Sequence, residues 1–125
     1  MAVKFSIPKN VSKETGAFMK NVIKELNSKN AIQDIDLGAI KMLCVSYEMY
    51  LQASEILLEE GCILVNKYGD RIPNPAQTIA TKNYAQVIKI MTEYGLTIKS
   101  RTSMKSVNDG DKEESPLDKF LRDKK

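Results

Sequence analysis

The sequence predicts a mainly α-helical domain with one small β-hairpin. Apolar residues recur at steps of three and four through three long stretches, the mark of helices with one face turned to a core. Between the second and third stretches, CILVNKYGDRI reads instead as two short β-rich runs around turn chemistry. Glycines close the second and third stretches where a helix needs a residue that tolerates positive φ. At 125 residues the chain fits one domain large enough to bury a core.

Each element has its own warrant. Residues 1–11, MAVKFSIPKNV, form a lysine-dotted arm in which Pro8 blocks early helix. Ser12 is a good N-cap, and Phe18, Met19, Val22, Ile23 and Leu26 then follow at helical spacing to an end near Ser28–Asn30. Asp34 or Asp36 is expected to cap a second helix, whose acidic start suits the macrodipole and which runs to an αL stop at Gly61. Along it Leu37, Ile40, Cys44, Tyr47, Leu51, Ser54 and Leu58 form a seam that Leu43, Tyr50 and Leu57 widen. Met42, Met49 and Ile56 recur every seven residues on roughly the opposite side. A small domain closes with one apolar face per helix, so this second face needs a cover. The arm or first helix could fold over it; the reading adopted is a neighbouring subunit.

In the hairpin, Cys62 to Val65 pairs with Arg71-Ile72 across Tyr68-Gly69-Asp70. Two strands alone are marginal, so the hairpin should lean on helices or on another chain. Ile63 and Val65 therefore join Met42, Met49 and Ile56 as the expected oligomer interface. Asn74 and Pro75 read as N-cap and N1 of a third helix, with a seam of Ala80, Tyr84, Val87, Met91 and Tyr94 beside Ile79 and Ile88. Gly95 is its C′ residue, Leu96 the accompanying hydrophobic contact, and Thr97 the cap of a short fourth helix. After Val107 the chain turns polar and charged. Ser115 and Pro116 then restart a helix whose Leu117, Phe120 and Leu121 share one face, as expected of a segment that folds on a partner. The predicted organisation is an arm over 1–11, a core over 12–107 with its hairpin near 62–72, and a linker with a partner-binding segment over 108–125.

Charge comes in blocks. Residues 1–30 carry net +4, 31–65 net −5, 66–105 net +5 and 106–125 net −1, which sum to +3. Two blocks qualify electrostatically for phosphate contact: Lys4, Lys9, Lys13, Lys20 and Lys24, and the hydroxyl-rich run with Lys99, Arg101 and Lys105. A solvated basic face is the plain alternative for the second.

Much chemistry is absent. With no histidine, Ser/His/Asp and Cys/His catalysis and the usual zinc hydrolases drop out. Cys44 and Cys62 are expected to be buried free thiols. A phosphate loop would need glycine immediately before Lys99, where Ile98 stands. Asp34/Asp36 and Glu59/Glu60 read as helix-end carboxylates rather than metal ligands. The chain is thus expected to be no enzyme and to need no cofactor or metal. Without an apolar run of spanning length or a signal-peptide core, it is read as soluble and intracellular, with no membrane partner.

EEGCILVNKYGDRIPNPAQTIA followed by EYGLTIKSR resembles the phage terminase small subunits, in particular those combining three marks in order. Here they are Glu60-Gly61 leading into the hairpin, Asn74-Pro75-Ala76, and Gly95-Leu96-Thr97 with Arg101. The aspartate-led helix containing Tyr47 and Tyr50 also fits, and the likeness spans roughly residues 8–107. One departure is Ile98, where proline often follows Gly-Leu-Thr. The resemblance implies a non-catalytic subunit that forms a homo-oligomeric ring in the host cell cytoplasm. It would bind the packaging start region of double-stranded phage DNA and recruit or regulate the large ATPase/nuclease subunit. It also implies that the N-terminal lysines lead in DNA contact, since ring-forming small subunits commonly place DNA-binding helices before their oligomerisation core. Two alternatives stay beside it: a dimeric helix-turn-helix DNA-binding regulator, and a structural adaptor of a phage particle.

Overall fold

The structure, a computed structural model, describes residues 2–102. Helix α1 spans Lys13–Ser28, a 3-10 turn over Asp34–Asp36 leads into α2 at Leu37–Glu60, strands β1 and β2 are Ile63–Val65 and Arg71–Pro73, and α3 is Ala76–Glu93. Residues 98–102 are again helical. The architecture is therefore the expected one, mainly helical with a two-stranded antiparallel hairpin.

Local chemistry sets the helix ends. Ser12 starts α1 in extended conformation, its hydroxyl accepting from the Thr15 N–H at 3.3 Å. The same helix closes on Asn30 at φ +52°, with the Ala31 N–H on the Leu26 carbonyl at 2.9 Å and the Asn30 N–H on that of Asn27 at 3.1 Å. Helix α3 repeats this closure at Gly95, φ +70°: the Leu96 N–H reaches the Met91 carbonyl at 2.8 Å and the Gly95 N–H that of Thr92 at 3.2 Å. Thr97 caps the next helix as expected. Its hydroxyl accepts from the Ser100 N–H, and its own N–H donates to the Ser100 hydroxyl, both at 3.0 Å.

Two expected caps differ. Neither Asp34 nor Asp36 caps α2 with its side chain. Asp36 instead accepts the Gln33 N–H at 2.9 Å, closing the 3-10 turn, and the Tyr94 hydroxyl at 3.0 Å. Gly61 does have positive φ, +85°, but its ψ of 165° is extended rather than αL, because the chain must leave α2 straight into β1.

The core joins all three helices. Met19, Val22 and Leu26 of α1 meet Ile40, Leu43 and Cys44 of α2 and Val87 and Ile90 of α3 in one buried cluster with Ile32. A smaller cluster joins Ala53 near the end of α2 to Ala76 and Ala80 at the start of α3, so α2 and α3 run antiparallel. Phe18 stacks on Tyr47 at a centroid distance of 4.0 Å, tying α1 to α2. The arm is part of this packing: Val3, Phe5, Ile7 and Val11 lie against the cluster. Asn27 clamps its start, accepting the Val3 N–H and donating to the Val3 carbonyl, both at 2.9 Å.

Some seam positions fall elsewhere. Leu58 is 88 % exposed, because at this end of α2 the packing is against the start of α3, through Ala53 and Leu57. Tyr84 is exposed and tilts against Tyr50, while Ile90 takes the buried place on α3. Cys62 is exposed, against expectation, since it sits in the link that leaves α2; Cys44 is buried as expected.

In the hairpin Ile63 pairs with Pro73, Leu64 with Ile72 and Val65 with Arg71. Opposite residues share a face, so half-buried Leu64 and Ile72, itself 38 % exposed, turn one way and the barer Ile63 and Val65 the other. Asn66 organises the turn: its side-chain oxygen accepts the Tyr68 and Asp70 N–H groups at 2.9 Å, and Gly69 supplies φ +83°. Asn74 anchors the base. Its amide donates to the Gly61 carbonyl at 2.9 Å and its oxygen accepts the Ala76 N–H at 3.0 Å, joining the end of α2 to the start of α3.

Candidate nucleic-acid interface and assembly surface

Helical geometry sorts α1 into two sides. At about 100° per residue, Lys13, Lys20 and Lys24 fall within about 40° of one another, and Thr15, Met19, Val22 and Leu26 lie roughly opposite. That opposite side is the buried one. Burial of the apolar side therefore turns the lysines outward together. Among the described residues none of them is paired, and the one ion pair is Lys29 to Glu25, at 2.9 Å near the end of the helix.

A shallow groove runs between this lysine side and the arm, lined by Ile7, Pro8 and Val11 on the arm and by Ser12, Lys13, Gly16, Ala17 and Lys20. Small side chains on its floor leave it open; a Cβ built on Gly16 would meet nothing within 4 Å. Lys4 and Lys9 are exposed on the arm but do not line the groove. Lys99 and Arg101 are exposed on the helix after Gly95. That helix sits beside α1: Lys29, which hydrogen-bonds Glu25, leads in lowering its carboxyl, and the charge of Arg101 adds to the effect. Lys105 lies outside the described residues, as do Leu117, Phe120 and Leu121.

The start of the lysine helix is fixed by a buried acid that sequence reading missed. Glu48 of α2, only 6 % exposed, accepts the Ser12 N–H and hydroxyl at 3.0 Å each and the Thr15 hydroxyl at 2.7 Å. Gln52 adds a longer bond at 3.4 Å. Burial pushes the carboxyl up, but these donors together outweigh it and hold Glu48 below the usual glutamate range. The carboxylate thus sits at the positive end of α1 and sets the angle at which arm and helix meet.

Met42, Met49 and Ile56 stay exposed, at 62, 40 and 43 %, with neither arm nor α1 over them. Val45, also exposed, belongs to the same stripe and was missed because it breaks the seven-residue repeat. Gln86 of α3 borders a groove with Met42 and Val45, which places the α3 flank carrying exposed Ile79 beside the stripe. On the other flank Tyr84 reaches Tyr50, with exposed Ile88 one turn away. Ile63 and Val65 are exposed as well. Among the described residues, no group of three or more potential metal ligands converges.

Residues 17–111 match the family described as phage terminase, small subunit, about three-quarters of the chain. No curated protein and no solved structure matches the chain. The matched span takes in most of α1, all of α2, the hairpin and α3, and it agrees with the resemblance carried by the three short motifs. The chain belongs to the phage terminase small subunit family, and its place is in the packaging of phage DNA.

Proposed function

We propose that this chain is a non-catalytic, DNA-binding small subunit that assembles into a homo-oligomeric ring on the packaging start region of phage DNA and recruits or regulates the large ATPase/nuclease subunit. The observation that carries the reading is the lysine side of α1, three cations turned to solvent by a buried opposite side and free of ion pairs among the described residues. Phosphate contacts of this kind release counterions, so affinity falls with salt in proportion to the number of contacts. A net charge of +3 gives weak binding per subunit, and many copies in one ring supply the affinity.

Ring rather than dimer is supported by the two apolar flanks. The Met42–Val45–Met49–Ile56 stripe and the Tyr50–Tyr84–Ile88 patch lie on different sides of the α2–α3 pair. A two-fold dimer needs one self-complementary patch, whereas a head-to-tail contact uses two different ones and gives a ring where the rotation between copies closes. The tight Gly95-Leu96-Thr97 turn between α3 and the next helix is what keeps a dimeric helix-turn-helix regulator as the second reading. Solution mass separates the two. No described helix is long and apolar enough to cross a membrane, in keeping with a host-cytoplasm role.

The test compares wild type with the Lys13→Ala/Lys20→Ala/Lys24→Ala variant on packaging-region duplex across a series of salt concentrations. Each lost phosphate contact should reduce the slope of log affinity against log salt by about 0.9. An unchanged slope removes this surface from DNA binding. Wild type that binds no DNA leaves a particle adaptor as the better reading.

A further inference from the structure

We propose that the groove between the arm and α1 is a docking site for the chain's own acidic C-terminal segment, residues 109–121, which masks the lysine side of α1 until a partner takes the segment away. The inference rests on the reading of that side as the DNA surface, and it adds a regulator of it. Charge and apolar pattern carry it. The groove has Lys13 and Lys20 on one wall and Ile7, Pro8, Val11 and Ala17 along the rest. The segment opens with Asp109, Asp111, Glu113 and Glu114 around a single Lys112, and continues with Leu117, Phe120 and Leu121 at helical spacing. One peptide thus offers carboxylates for the lysines and three apolar side chains for the walls, a match that duplex DNA meets only in its charge.

Connectivity also permits the contact within one chain. Leu96 packs on the core that α1 helps to build, and Arg101 lies in the field of Glu25, so the chain leaves the described region beside the C-terminal half of α1. From Glu25 back to Lys13 is about 18 Å along the helix at 1.5 Å per residue. Residues 103–109 alone span about 23 Å when extended, and the acidic run extends further. No other copy is required.

The test uses the full chain in three forms: wild type, Asp109→Asn/Asp111→Asn/Glu113→Gln/Glu114→Gln, and Leu117→Ser/Phe120→Ser/Leu121→Ser. A zero-length carbodiimide cross-linker applied without DNA should join Lys13 or Lys20 to a carboxylate of 109–114 in wild type. Mixing isotopically light and heavy protein should show these links within single chains. Both variants should bind random-sequence duplex about tenfold more tightly than wild type, the factor expected where the face is free about a tenth of the time. The serine variant controls for charge, because it leaves net charge at +3. Absence of the lysine–tail links, links between chains only, or unchanged DNA affinity in the serine variant would each overturn the proposal. If no form binds DNA while the links persist, masking is overturned and the DNA reading itself has failed. The cross-links distinguish that result from a mere failure of docking.

Discussion

At the scale of single residues, Glu48 shows how one carboxylate can set the geometry of a distant surface. It accepts the Ser12 N–H and hydroxyl and the Thr15 hydroxyl at the start of α1, so its removal takes that acceptor from the buried Thr15 hydroxyl. An unsatisfied buried donor costs about 1–3 kcal/mol, and Glu48→Ala should destabilise by that order. Glu48→Gln should recover only part, because its amide nitrogen would face donors. The acid dependence has a definite sign. The native pKa lies below the ordinary 4.5, so Glu48 contributes stability at pH values above that figure and loses it as pH falls through the native value. Urea unfolding midpoints should therefore drop less steeply below pH 4.5 in Glu48→Gln than in wild type. Parallel acid limbs would show that the carboxylate is not held ionised. Nothing in the local sequence announces this role, since its main partners are 33 and 36 residues away and the helix pattern around Glu48 is that of a solvated position.

At the scale of elements, what could be read in the sequence was what local backbone chemistry dictates. Gly95 was legible because the closing bonds of α3 need positive φ and run only between residues five and three apart. The hairpin was legible from its β-branched runs and its glycine turn, but not the part of Asn66, whose side chain does the work of a backbone carbonyl. Asp36 was misread for the opposite reason: one of its partners is Tyr94, 58 residues on, beyond any local rule. Asn74 combines both cases, since the sequence marks it as a cap while its bonds to Gly61 and Glu60 appear only in the fold. Replacing it by alanine should remove a cap and two tertiary bonds, at a cost of about 1–2 kcal/mol. The loss should be local first. Hydrogen exchange should speed at the paired amides of 63–73 more than at buried α1 amides such as Met19. Equal acceleration at both sites would mean that the hairpin and the helices open as one unit.

At the scale of the whole molecule, the decisive fact is that α2 has apolar residues on more sides than the described residues cover. The heptad repeat of Met42, Met49 and Ile56 was visible in the sequence; that arm and α1 leave it bare was not, because only packing shows which face a neighbour takes. The stripe from Met42 to Ile56 runs about 21 Å along the helix. We propose this stripe as a contact surface between copies, since burying it there would gain about 25 cal/mol for each Å² removed from water. Because it lies outside the core clusters, Met42→Ser/Met49→Ser/Ile56→Ser should weaken assembly without weakening the fold. Sedimentation of wild type at micromolar concentration should give a mass several times the 14.1 kDa of one chain, and the triple variant should move toward that single-chain value. Thermal unfolding of the two should nearly coincide once assembly is diluted away, because exposed positions change stability by only about 0.5 kcal/mol each. A triple variant that unfolds would place the stripe inside the fold instead, and a wild type that sediments as a single compact chain would leave the lysine side of α1 without the multiplicity its weak charge requires.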